Sequence, residues 1–106
     1  MVNFEEFKKL ELKVARVLEA ERVEGSDKLL KLKVDLGEPE PRQILVGVGK
    51  VYSPEEMVGR EIIVVANLEP RMLMGLESQG MLLAANDGGP VLLKPDREIS
   101  PGSVIS

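Results

Sequence analysis

Leu30-Lys31-Leu32-Lys33-Val34-Asp35-Leu36 is the stretch on which the fold turns. Its leucines and valine alternate with Lys31, Lys33 and Asp35, and a period of two sends the two sets to opposite faces of an extended chain. Such a segment is a strand with one face in a core and the other in water. Upstream of it, Gly25-Ser26-Asp27 is a turn cluster. Leu12 to Leu18 before that is β-prone, with Leu12 and Val14 on one face and Lys13 on the other. The alternation slips around Ala15 and Arg16, which predicts a bulge there. Asn3 followed by Glu6 resembles a capping box, and Phe4, Phe7 and Leu10 share one side of the turn that follows. A short N-terminal helix is expected, with its phenylalanines in the core.

Downstream, Gly37, Pro39 and Pro41 make a connection to a third strand, Gln43 to Val48, broken up by Gly47 and Gly49. Ser53-Pro54-Glu55-Glu56 places a capping serine before a proline at the first helical position and a glutamate at the third, so a helix starts here and Gly59 ends it. Ile62 to Ala66 and Met81 to Ala85 are apolar throughout, as strands covered on both faces would be. Asn86-Asp87-Gly88-Gly89 reads as a hairpin-like turn into Val91 to Leu93, and Val104-Ile105 closes the chain. There is no internal repeat or linker, and 106 residues suffice for one modest core, so residues 1–106 are expected to form a single domain. Three strands, a short helix and further strands predict an all-β fold. The expected form is a five-stranded Greek-key barrel of the OB type, with the helix between strands 3 and 4, an N-terminal helix and C-terminal extension strands. Another small barrel with an incidental helix is the competing reading of the same order.

Composition narrows the function. The chain is 43% hydrophobic and 30% charged, without cysteine or histidine. Disulfides, thiolate nucleophiles, zinc sites and the usual catalytic triads are thereby excluded. The glutamates are scattered over caps and turns, so a binding module without catalysis, cofactor or metal is expected. No apolar run approaches the roughly 20 residues that span a bilayer, and no signal pattern opens the chain, so a cytosolic protein with no membrane partner is expected. The net charge of −4 has the wrong sign for indiscriminate coating of nucleic acid. An RNA site would have to be a local basic patch.

Residues 67–81 join two core strands through a connection longer than a hairpin needs, rich in methionine and glycine, and loops held on a rigid barrel often carry binding residues. Arg71 can hold a phosphate bidentately or stack on a base, and Asn67 and Ser78 can bond sugar or base edges. Met74 and Met81 offer pliable apolar contact, or are simply core. Lys31 and Lys33 share an outward strand face, with Arg42 at the start of the next strand. The three are either phosphate contacts or an ordinary solvated face; Lys28 and Lys50 are weaker candidates. The few aromatics, Phe4, Phe7 and Tyr52, argue against a binder of unstructured single strands, which needs stacking platforms, and favour folded RNA.

The series from Asn67 to Met81, together with Lys13-Val14-Ala15-Arg16-Val17, Gly25-Ser26-Asp27-Lys28-Leu29 and Asp87-Gly88-Gly89, resembles the tRNA-binding domain found at the C-terminus of many methionyl-tRNA synthetases. Similar domains stand alone as structure-specific tRNA-binding proteins or occur in endothelial-monocyte-activating-polypeptide-like cofactors. The resemblance covers essentially the whole chain. It implies an OB barrel that recognises the shape of tRNA near its outer corner and works in trans or as an appendix to the catalytic part of methionyl-tRNA synthetase. The motif positions are Asn67, Arg71, Met74, Ser78 and Met81; Met72 stands where relatives often have lysine, and Gln79 where many have glutamate. The resemblance also implies a homodimer joined through the C-terminal segment, with Val91, Leu92, Leu93, Val104 and Ile105 as interface candidates, unless they only close the barrel. A dimeric export-chaperone family shares the fold and part of the motif. Unfolded polypeptide held by Met72, Leu73, Met74 and Leu76 is therefore the alternative partner.

Overall fold

A computed structural model describes all 106 residues. The chain runs α1 (Phe4–Phe7), β1 (Leu12–Arg22), β2 (Leu30–Asp35), β3 (Arg42–Val46), α2 (Pro54–Met57), β4 (Glu61–Val65), β5 (Arg71–Leu73), β6 (Leu76–Ser78), β7 (Met81–Leu82), β8 (Ala84–Asn86), β9 (Pro90–Leu92) and β10 (Val104–Ile105). The main sheet has the order β3-β2-β1-β4-β7, with β10 also on β1. It curls into a nearly closed barrel of the expected OB type, with α2 between the third and fourth strands.

Strand β1 organises this sheet because it is long enough to serve neighbours on both sides. Arg16 to Arg22 pair with β2, Leu12 to Arg16 pair with β4, and Leu12 and Lys13 also take β10. Its register slips between Val17 and Glu19, so the bulge lies at Leu18, two to three residues beyond the expected place. An extra residue there bends the strand and raises its twist, as barrel closure requires. Strand β2 behaves as its alternation predicts: Leu30, Leu32 and Val34 are buried, and the residues between them only partly covered. They join Ile44, Met57, Ile62 and Val64 in one core cluster. Each such side chain contributes about 1.5–3 kcal/mol by leaving water. The capping box at α2 forms in both directions, with Ser53 Oγ accepting from the Glu56 N–H and Glu56 Oε1 accepting from the Ser53 N–H.

Three expectations are corrected. Phe4 and Phe7 are 70% and 43% exposed, and α1 has no buried residue, because the helix stands at the rim of the barrel. Asn3 Oδ1 does accept from the Glu6 N–H and start that helix. The run from Met81 to Ala85 is not one covered strand: β7 ends after two residues, and β8 pairs with β9 in a separate hairpin whose Ala84 and Ala85 are exposed. Residues 67–81 are not an irregular connection, since Arg71–Leu73 and Leu76–Ser78 pair as a hairpin.

Between β3 and the segment after β6 the barrel is closed largely by side chains. Ser78 is 5% exposed, and its hydroxyl accepts from the Leu45 N–H and donates to the Gly80 carbonyl, both at 3.0 Å. Gln79 donates its backbone N–H to the Gln43 carbonyl at 2.8 Å, and its side-chain oxygen accepts from the Gln43 N–H at 3.0 Å. No helix is long and apolar enough to cross a membrane.

Candidate nucleic-acid interface

The β5–β6 hairpin is the central part of the site, and it is clamped at both ends. Its base rests on the seam just described, where Gln43 Nε2 also donates to the Glu77 carbonyl at 2.9 Å. Its tip is a two-residue turn in which Met74 has φ 51° and Gly75 φ 78°. Two positive φ values in succession match the right-handed twist of paired strands, and they suit asparagine or glycine far better than methionine. The Met74 side chain reaches the β1–β2 turn, its Cε lying 3.3 Å from where a Cβ on Gly25 would stand. Gly25 thus leaves the space in which the hairpin tip docks.

Between the hairpin, the β1–β2 turn, the end of β3 and the β7–β8 edge lies a groove of about 600 Å³. Its floor is aliphatic, with Leu29, Leu45, Val48, Leu73 and Leu82, and the thioethers of Met74 and Met81 add pliable surface. Its cations are Arg71 and Lys28, both exposed and neither in an ion pair. Residues 25–29 and 67–81, far apart in sequence, thus meet at one concave surface.

Of the residues singled out from the sequence, Arg71, Met74 and Met81 are brought together there. The others stand elsewhere. Asn67 is held at the end of β4, where its Oδ1 accepts from the Glu11 N–H at 2.9 Å and its Nδ2 donates to the Lys9 carbonyl at 2.6 Å. Ser78 is inside the seam. Arg42 donates Nε and Nη2 to the Glu38 carboxylate at 2.8 and 2.7 Å, and Nη1 to the carbonyls of Ala66 and Gln79. These bonds from Arg42, followed by burial working the other way and the nearby charges of Arg42 and Lys13, hold the Glu38 carboxyl below its usual range. Arg42 is consequently a neutralised tether. Lys31 is paired with Glu21 at 2.6 Å, and Lys33 lies opposite Glu19 across the β1–β2 ladder. That outer face is electrically balanced.

Lys28, a weaker candidate in the sequence, is the second cation of the groove. Its backbone carbonyl accepts from the Gly49 N–H at 2.7 Å, a close approach that a Cβ on Gly49, 2.8 Å from that oxygen, would block. Arg22 Nη1 donates to the Gly49 carbonyl at 2.9 Å on the same corner. The glycines that interrupt the third strand were the signal for this junction. Tyr52 is no stacking platform: its hydroxyl accepts from the Leu92 N–H at 3.2 Å, and Arg60 lies over its ring. No group of three or more His, Cys, Asp or Glu is placed to hold a metal.

The chain is also similar to known proteins. Residues 12–104 match the family model described as "Putative tRNA binding domain". Over 106 residues, 99% of the chain, it is 59% identical to a methionine–tRNA ligase of Caldanaerobacter subterraneus subsp. tengcongensis, of which that stretch is 16%. The chain therefore spans about one sixth of that relative's length. Among solved structures it is similar to a MetRS-related protein from Pyrococcus horikoshii, with TM-score 0.92 and 37% identity over 100% of this chain and 98% of that one. It is also similar to the chaperone CsaA of Bacillus anthracis, with TM-score 0.90 and 33% identity over 100% and 99% of the two chains.

Proposed function

Because this chain belongs to the tRNA-binding domain family, we propose that it grips folded tRNA through the groove beside the β5–β6 hairpin and performs no chemistry itself. In this reading it raises the tRNA affinity of a methionyl-tRNA synthetase, as an attached domain or as a partner in trans. The observation that carries the proposal is the convergence of residues 25–29 and 67–81 on one groove that holds the unpaired Arg71 and Lys28. On a chain of net charge −4, two free cations beside an apolar floor form the kind of local patch that an RNA ligand requires. Arg71 and Lys28 are the phosphate contacts, and Met74 and Met81 touch ribose or base. Ser78, Arg42 and Asn67 position the hairpin, while Lys31 and Lys33 contribute at most a peripheral field.

Two sites acting together offset the modest charge of each. We assign self-association to the face formed by Phe4, Phe7 and Leu10 with Leu12, Val104 and Ile105, a cleft that is mainly apolar. Val104 is 75% exposed there. Leu92 packs on the core, while Val91 and Leu93 are exposed and do not line this cleft.

The test is binding of folded tRNA against a single-stranded RNA of equal length across salt concentrations. Tighter, salt-sensitive binding of the folded RNA is the expected result. A second reading is favoured by the likeness to CsaA and by the aliphatic floor: capture of unfolded polypeptide. Salt-resistant binding of an unfolded peptide without tRNA binding would establish it instead.

A further inference from the structure

We infer that the groove takes a single unstacked nucleotide of the folded RNA, with its base on the aliphatic floor and its neighbouring phosphates on Arg71 and Lys28. The inference rests on the tRNA reading and specifies which part of the RNA enters. An RNA duplex presents phosphates and 2′-hydroxyls, and pressing these onto Leu29, Leu45, Leu73 and Leu82 would strip their water without supplying partners. The face of a base has no such groups. In a folded RNA only a loop or bulge nucleotide can leave its stack and turn that face toward a concave surface. No aromatic ring lines the groove, so the base is held by thioethers and branched aliphatics, with the planar guanidinium of Arg71 able to lie against it.

Gly47 is a second, independent feature. It stands in the groove wall between Val46 and Val48, exposed, with nothing within 4 Å of where its Cβ would be. Its φ lies outside the left-handed region, so neither backbone geometry nor packing demands glycine. A side chain there would enter the open space beside the groove wall. A bare backbone at such a point is what close approach of a ligand needs.

Gly47→Val is therefore the decisive variant, since it adds bulk at the groove wall while leaving Arg71 and Lys28 in place. Its affinity for folded tRNA should fall about tenfold, which is a loss of about 1.4 kcal/mol. The slope of log affinity against log salt should stay that of the wild type, and the thermal midpoint should hold. On the RNA side, abasic substitutions scanned through the loops should reveal one position at which wild type and Gly47→Val bind equally weakly. Wild-type tRNA binding together with an unaffected Gly47→Val, or a flat abasic scan, overturns the inference and leaves the tRNA reading standing. Should Gly47→Val fail to fold, the abasic scan on the wild type decides alone. Absence of wild-type binding to any folded tRNA removes both.

Discussion

Arg71 and Ser78 face each other in the β5–β6 register, and their environments separate what they do. Arg71 is exposed and unpaired, so Arg71→Ala should leave the thermal midpoint unchanged and reduce tRNA affinity several-fold. The salt slope should shrink by about one phosphate contact, checked by titration at several ionic strengths. Lys33→Ala should change affinity much less, because its face is already balanced by Glu19. Ser78→Ala should do the reverse. It removes the acceptor for a buried Leu45 N–H, and leaving such a donor unsatisfied costs about 1–3 kcal/mol. Thermal unfolding should show a midpoint lower by several degrees. Any loss of tRNA affinity would then follow from a loosened hairpin. At Glu38 the bonds to Arg42 lower the folded-state pKa, so the carboxylate stabilises the fold above the ordinary Glu range and loses this as pH falls through its lowered value. The stability difference between wild type and Glu38→Gln should accordingly be flat near neutrality and vanish in acid, as denaturant unfolding across pH would show.

Among the elements, the β5–β6 hairpin shows a conflict between local preference and position. A methionine at φ 51° is strained, so the contact of Met74 over Gly25 is made against the preference of the turn itself. Met74→Asn suits the turn and should raise stability by about 0.5–1 kcal/mol. It removes the contact over Gly25, so tRNA affinity should drop. A variant that is both more stable and equally tight would show that Met74 has no part in binding. Methionine and glycine in residues 67–81 suggested an adaptable loop from composition alone; pairing turned it into a wall, because Ser78, Gln79 and Arg42 attach its base to β3. Those attachments join residues 33 to 37 positions apart, beyond the reach of any local pattern.

At the scale of the whole molecule, the exposed phenylalanines of α1 and the tip of β10 form the apolar face assigned to self-association. Phe4→Glu with Val104→Glu alters two side chains that are 70% and 75% exposed, so the fold should persist. Light scattering at micromolar concentration should show a dimer for the wild type and a monomer for this variant, and tRNA binding should weaken through lost avidity. A wild-type monomer would refute the assignment. The same face explains why Phe4 and Phe7 lie outside the core. A helical period shows which residues share a side, but not whether the chain itself supplies something to cover it.

The order of elements as far as β4, the strand Leu30–Asp35, the two helix starts and the family were all legible in the sequence, since alternation, capping and motif are local and survive without tertiary context. Which polar residues are used up by partners within the fold was not legible. Arg42 and Arg71 are the same residue type at comparable places near strand starts, yet one is saturated by Glu38 and two carbonyls and the other is free. Only the closed barrel decides that, because the partners that neutralise a charge or bury a hydroxyl come from strands distant in sequence, brought within hydrogen-bond reach when the sheet curls shut.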